Sequence, residues 1–403
     1  MFNFPNSFLI QNATILTSDG LLPDHCCLVV DGRIKAIAPQ LVNSELRTID
    51  AQGDLLLPGI IDMHGDAYER HITPRAGVQF PVDMALAAND GSLVSHGITT
   101  FYYSITDGFE PGLRSRQTVR ETLHSLEQLS KHSKCDGRIH IRHEVVNTDD
   151  LDELLDWMRT GRIHLLSIND HLPPPDKAHK IQRYMAGMKR RVSMTEQEAL
   201  EFINKLQAKR DIGKSQVDQL AQSAHEHNIP LASHDDETDS DVSRAETLGI
   251  KIAEFPMNEE IAAKLRQQGA VVLMGSPNLV RGGSHVGALN VAEAVKAGVL
   301  DALCSDYHYP SILRAPFMLA AKELLTFESA WALVSSSPAQ CLGLEDKGSI
   351  EIGKLADMVL IKKPENIGDG GVATDIRATF VAGQPVYVSA KPRLTQTEAA
   401  ESS

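Results

Sequence analysis

"LLLPGIIDMHGDAYERH", residues 55–71, is an apolar run that ends in a dense group of ionisable side chains. His64, Asp66, Glu69, Arg70 and His71 follow directly on "LLLPGIID". His64 and Asp66 are two residues apart. On a strand, positions i and i+2 point to the same face, so an imidazole and a carboxylate there can grip one ion. That reading gains force when other apolar runs end the same way.

They do. The middle of the chain alternates apolar runs with amphipathic stretches: "GITTFYYSIT", "RIHIRHEVV", "IHLLSIND", "IPLASHDD", "IKIAEFP", "AVVLMGSPN" and "LDALCSDYH" follow the first. Between them, "TVRETLHSLEQL" sets Val119, Leu123 and Leu126 on one helical face, and "QVDQLAQSAHEHN" does so with Val217, Leu220, Ala221 and Ala224. Strand-like runs separated by helices predict an α/β fold of the (β/α)8 barrel type. A doubly wound sheet is the alternative, but the chain lacks G-x-G-x-x-G after its first strand and G-x-x-x-x-G-K-[ST] anywhere.

Both ends read differently. "FLIQNATILT" alternates and "CCLVVDGRIKAIAP" carries an Asp-Gly turn signal; "GSIEIGKLADMVLIKK" and "IRATFVAGQPVYV" return to that style. Residues 1–57 and 347–391 are therefore expected to build a small β-sandwich-like domain, with the barrel over 58–346 and a frayed tail over 392–403. Residues 171–202 break the spacing with three prolines and a basic cluster, Lys189, Arg190 and Arg191. They read either as a solvated helical excursion or as a lid that helps hold phosphates.

Composition narrows the function classes. The chain has 403 residues, 42% hydrophobic and 23% charged, which are ordinary globular values. The net charge of −14 argues against nucleic acid and anionic membranes as partners, while leaving room for a local basic pocket. No apolar run is long enough for a membrane span, and the N-terminus is a poor signal peptide. The five cysteines are an odd number and form no C-x-x-C pair, which predicts reduced thiols in the cytoplasm and no thiolate zinc site.

In a barrel the C-terminal ends of the strands converge on one mouth. The candidate strand ends offer His64 and Asp66; His143 and Glu144; Asn169, Asp170 and His171; His234 with Asp235 to Glu237; Glu254; Arg281 and His285; and Asp306 to His308. Such a set of imidazoles and carboxylates suits zinc, manganese, iron or cobalt, as one or two ions; ligand type does not choose among them, and zinc is the first expectation. His225 and His227 lie in a helical stretch and read as solvent-facing.

Here the residues reach a family. "LLLPGIIDMHGD" resembles the opening of the amidohydrolase superfamily, whose first strand usually ends in H-x-H, and the terminal strands resemble its small β domain. Asp66 departs from that pattern, and "SIND" lacks the lysine many members carry. The resemblance assigns His64, Asp66, Glu144, His234 and Asp306 as metal ligands, with Asp306 also accepting a proton as the catalytic residue. "HGDAYERHITPRAGV", "SINDH", "SHDDE", "EFPMN", "GSPNLVRGGSHVGALNV" and "CSDYHYPS" together look like the alkylphosphonate-utilisation branch. That likeness implies a triphosphate diphosphatase: metal-assisted hydrolysis of α-D-ribose 1-methylphosphonate 5-triphosphate to the 5-phosphate and pyrophosphate.

Arginine forks match phosphate oxygens. Arg70, His71, Arg75, Asp170, Glu254, Arg281, His285 and His308 are therefore expected to face the phosphates and ribose, Glu254 doubling as a candidate for the missing sixth-strand ligand. For Arg70 and Arg75 the competing reading is neutralisation of nearby acids. The competing function is an amide or cyclic-amidine hydrolase on the same barrel. A homodimer is left open.

Overall fold

The fold was analysed in a computed structural model, which describes residues 6–42, 45–75, 77–110, 112–173, 175, 178–191, 195–283, 288–364 and 375–389. The barrel is one parallel sheet of eight strands: β6 (Ile60–Gly65), β7 (Ile98–Asp107), β8 (Asp136–Glu144), β9 (Leu165–Asn169), β10 (Leu231–His234), β11 (Ile252–Glu254), β12 (Val271–Gly275) and β13 (Ala302–Cys304). Each strand pairs with its sequence neighbour, and a parallel bridge from Gly65 to Asp306 closes the ring. The fold is thus the expected (β/α)8 barrel.

A second sheet draws on both ends of the chain. It contains β1 (Phe8–Thr17), β2 (Gly20–Val30), β3 (Arg33–Ala38), β4 (Arg47–Asp50) and β5 (Leu55–Pro58), then β14 (Met358–Ile361), β15 (Ile376–Val381) and β16 (Gln384–Val388). β5 lies between β1, which it pairs in parallel, and β14, which it pairs antiparallel. The opening run thus divides after Pro58, one half joining each sheet. Gly59 marks the switch: a Cβ there would lie 2.3 Å from Thr99 Oγ1. The expected tail, 392–403, lies outside the described residues.

Alternation along the strands builds the barrel in layers. Outward side chains such as Ile98, Ile105, Ile141, Leu166, Val272 and Leu303 join the helices in one large core. The helices spanning 116–129 and 210–226 bury Val119 and Leu123, and Val217, Leu220, Ala221 and Ala224. Inside the barrel, Met63, Tyr102, Leu165, Ala232, Ile252, Leu273 and Ala302 form an apolar plug. Two residues further along four of these strands, the same face turns polar: Ser104 above Tyr102, Ser167 above Leu165, His234 above Ala232, Glu254 above Ile252. Since i and i+2 share a face, the mouth begins where the plug ends.

The insertion packs rather than standing in solvent. The helices over 178–191 and 196–207 bury Met185, Met188, Ala199, Ile203 and Leu206 against Val146 and Leu172. Tyr184 Oη donates to Glu110 at 3.2 Å, and Lys180 Nζ reaches Glu237 at 3.1 Å. These contacts tie the insertion to loops at the C-terminal ends of β7 and β10. The side chains of Lys189, Arg190 and Arg191 lie outside the described residues.

Candidate active site and metal centre

The seam of the barrel holds the first group. The Asp66 amide donates to the Asp306 carbonyl at 3.0 Å, and the Asp306 amide donates to the His64 carbonyl at 2.9 Å. This sets Asp306 beside the His64–Asp66 strand end. Gly275 at the end of β12 leaves space for the carboxyl, since a Cβ there would lie 3.2 Å from Asp306 Oδ2. Burial, then the neighbouring Asp66 charge, pushes Asp306 up to about 7. Below them, buried Asp62 accepts from the Ser305 amide at 3.0 Å, and burial pushes its carboxyl up to about 6.

A second group meets it from the other side of the mouth. His171 Nδ1 and Glu144 Oε1 form a close ion pair, and the His171 amide donates to Glu144 Oε2 at 3.2 Å. Burial would lower His171 and raise Glu144, but each outweighs that in the other, to about 9 and about 2. Asp235 Oδ2 lies 3.2 Å from His234 Nδ1 and 3.6 Å from His171 Nε2. His171, His234 and Asp235 form one group whose donor atoms lie within 4.8 Å of one another; His64, His140 and Glu254 form another.

Arg142 stands between the groups. Its Nη1 donates to Asp66 Oδ2 at 3.4 Å, and its Nη2 donates to His234 Nε2 at 3.1 Å. Phe255 fills the remaining wall, its ring edge-on to His64 at 5.0 Å and to His234 at 5.1 Å. Three residues that follow strand ends, Asp235, Phe255 and Asp306, have left-handed φ values of 59°, 57° and 54°. L-residues adopt that region at a cost, and such strain gathers at functional sites.

The donors fit a divalent ion. They are imidazoles and carboxylates, the preferred set for zinc, manganese, iron or cobalt. The ring nitrogens His234 Nδ1 and His140 Nε2 face carboxylates, Asp235 at 3.2 Å and Glu254 at 3.7 Å. Cys304 is buried and directs its thiol to the Met274 carbonyl, leaving the centre without thiolate.

The remaining expected residues separate. Arg70, His71 and Arg75 are exposed on the segment after β6. Arg70 lies close enough to exposed His308 that, after burial, its charge helps lower the His308 imidazole. Arg281 Nη1 donates to Tyr307 Oη at 3.1 Å at the rim. His285 lies outside the described residues. Asp170 turns away to pair with Arg210. Glu254 is 0% exposed beneath the mouth, apart from the phosphate-facing group in which the sequence placed it.

Two site residues, His140 and Arg142, were missed, and His171, named among the strand ends, was given no role. The first two had a signal. In "RIHIRHE" the residues His140, Arg142 and Glu144 recur at every second position, so they share the inward face with Glu144. His171 follows the end of β9, where alternation no longer says which way a side chain turns.

The amidohydrolase family profile matches residues 55–388. The α-D-ribose 1-methylphosphonate 5-triphosphate diphosphatase of Escherichia coli is 32% identical over 84% of this chain and 91% of its own length. The imidazolonepropionase of Symbiobacterium thermophilum is 25% identical over 85% of each chain. Among solved structures, a triazine hydrolase from Arthobacter aurescens superposes with a TM-score of 0.61 at 18% identity, covering 97% of this chain and 96% of its own.

Proposed function

The chain belongs to the amidohydrolase family of hydrolases, and from that membership we propose that it cleaves α-D-ribose 1-methylphosphonate 5-triphosphate between the α and β phosphorus atoms. Water adds to the α-phosphorus, the Pα–O–Pβ bond breaks, and pyrophosphate leaves the ribose 5-phosphate. The observation that carries this reading is the near full-length likeness to the Escherichia coli diphosphatase. The rim supports it: Arg70, His308 and Arg281 surround a mouth whose floor is acidic.

A divalent ion, when bound, supplies a Lewis acid and lowers the pKa of a bound water. His64, Asp66, Glu144, His234 and Asp306 are the residues proposed to hold it, Glu144 being paired with His171. Asp306, beside the His64–Asp66 strand end, is placed to accept a proton from the attacking water. Arg142 keeps a fixed positive charge between Asp66 and His234, facing the charge that builds on the α-phosphoryl oxygens. Arg70 and Arg281 hold the leaving pyrophosphate at the rim.

The test is phosphorus NMR of the zinc-loaded protein with the ribose triphosphate, beside ATP and a panel of amides, in oxygen-18 water. Pyrophosphate with label on the α-phosphoryl product is the expected result. Turnover of an amide or cyclic amidine with silence on phosphates would transfer the site to the chemistry named for the imidazolonepropionase relative.

A further inference from the structure

Beneath the mouth a row of buried polar groups crosses the barrel, and none of it is needed to touch substrate. Glu254 is its pivot. Its Oε1 lies 2.8 Å from His64 Nδ1, and its Oε2 accepts from Ser167 Oγ at 2.8 Å. His140 Nε2 lies 3.7 Å from the same Oε1. The other ring nitrogen of His140 meets Ser104 Oγ at 2.9 Å, and Ser104 Oγ in turn accepts from the Gly65 amide at 3.1 Å. Residues from β6, β7, β8, β9 and β11 thus join in one layer directly above the apolar plug.

The chemistry of the pair assigns the proton. Burial alone would raise the Glu254 carboxyl, but His64 and then His140 hold it well below the ordinary carboxylate range. A carboxylate oxygen accepts, so in the 2.8 Å contact His64 Nδ1 is the donor and Nε2 is the ring nitrogen turned away from Glu254.

We infer that Glu254 is a positioning residue for the metal centre: it fixes the tautomer and ring plane of His64, braced by Ser167, so that His64 Nε2 is presented to the divalent ion. The inference rests on the reading of His64 as a metal ligand and not on the identity of the substrate. It separates Glu254 from both roles the sequence left open, direct ligation and contact with phosphate. A carboxylate that orients a ligating histidine typically changes metal affinity by about 10–100-fold when removed.

The experiment compares the full-length protein with E254A, E254Q and S167A. Zinc dissociation constants are measured by chelator competition, the ligand set by X-ray absorption of the zinc-loaded protein, and the His64 tautomer by nitrogen-15 NMR, with H64N assigning the signal. E254A should weaken zinc by about 10–100-fold with an unchanged ligand set. E254Q, whose amide oxygen still accepts from Nδ1, should recover most of that loss, and S167A should fall between. The metal-free wild type should show hydrogen on His64 Nδ1, a result that needs no variant to fold. Unchanged zinc affinity in E254A, loss of an oxygen donor from its X-ray absorption, or hydrogen on Nε2 in the wild type would each overturn the inference. Triphosphate hydrolysis by the wild type is followed alongside. Its absence with the expected zinc pattern would sink the proposed substrate and leave the role of Glu254 standing.

Discussion

The two ends of β8 bury charge in opposite ways. At the start of the strand, Asp136 meets Lys347 at 3.2 Å, and Lys347 also meets Asp357 at 2.5 Å. Arg138 adds a second cation to Asp136 at 3.1 Å. Every charge in that group faces an opposite one, and Asp357 further accepts from the Ala382 amide at 2.6 Å, tying barrel to terminal sheet. At the other end, carboxylates crowd together. Asp66 and Asp306 repel, and Arg142 Nε and Asn169 Nδ2 are buried without hydrogen bonds. Matched charge at one end serves stability. Crowded carboxylates at the other are what a site keeps when it must bind a cation.

Substitutions at the two ends should therefore fail differently. The largest effect is expected for D306N. It removes the proposed proton acceptor and should lower kcat/KM for the triphosphate about 10²–10⁴-fold. It also relieves repulsion with Asp66, so the thermal midpoint should hold or rise. A parallel fall in melting temperature would erase the contrast between the ends. K347M should do the reverse. Leaving buried Asp357 without its lysine, while half-buried Asp136 keeps Arg138, should cost about 3 kcal/mol in urea unfolding, with zinc uptake per folded chain unchanged.

The same end carries a pH signature. Burial would raise Asp136, but Lys347 and then Arg138 outweigh it and hold the carboxyl below its ordinary value of 3.8. A depressed folded value contributes stability above the unfolded value and loses it as pH falls through the folded one. Wild-type stability should thus decline below about pH 4. D136N should start lower at pH 7 and decline less over that range. An identical slope in the two proteins would mean that Asp136 is not held as described. The smallest effect belongs to the rim. R281M should raise KM for the triphosphate about tenfold by loss of one charged hydrogen bond, with kcat and melting unchanged.

The barrel was legible because its strands are apolar runs with chemistry at their ends, although Asp66 lies one residue past the end of β6 and outside its alternation. Alternation serves only while a strand lasts. Asn169 is the last residue of β9; beyond it Asp170 turns to Arg210 while His171 turns to Glu144. No rule of spacing separates those two neighbours. Glu254 ends a strand of three residues, too short to show whether its carboxylate lies in the mouth or beneath it. Depth along the barrel axis is set by stagger between strands, which pairing reveals and a single chain's pattern does not. Arg142 was hidden differently: a buried arginine reads as surface until its partners, Asp66 and His234, are brought from distant strands.

The position of β5 between β1 and β14 has a consequence for how the protein is made. Synthesis runs from the N-terminus, and domains tend to fold as their residues emerge. β1 to β5 can pair among themselves early, but the second edge of β5 finds no partner until Met358 to Ile361 have left the ribosome. Through the making of the whole barrel, the nascent chain therefore holds out an unpaired apolar strand, "LLLP", whose backbone groups are open to any other extended segment. The last strands act as a clasp, and a ribosome that stops short of them releases a barrel with a sticky edge.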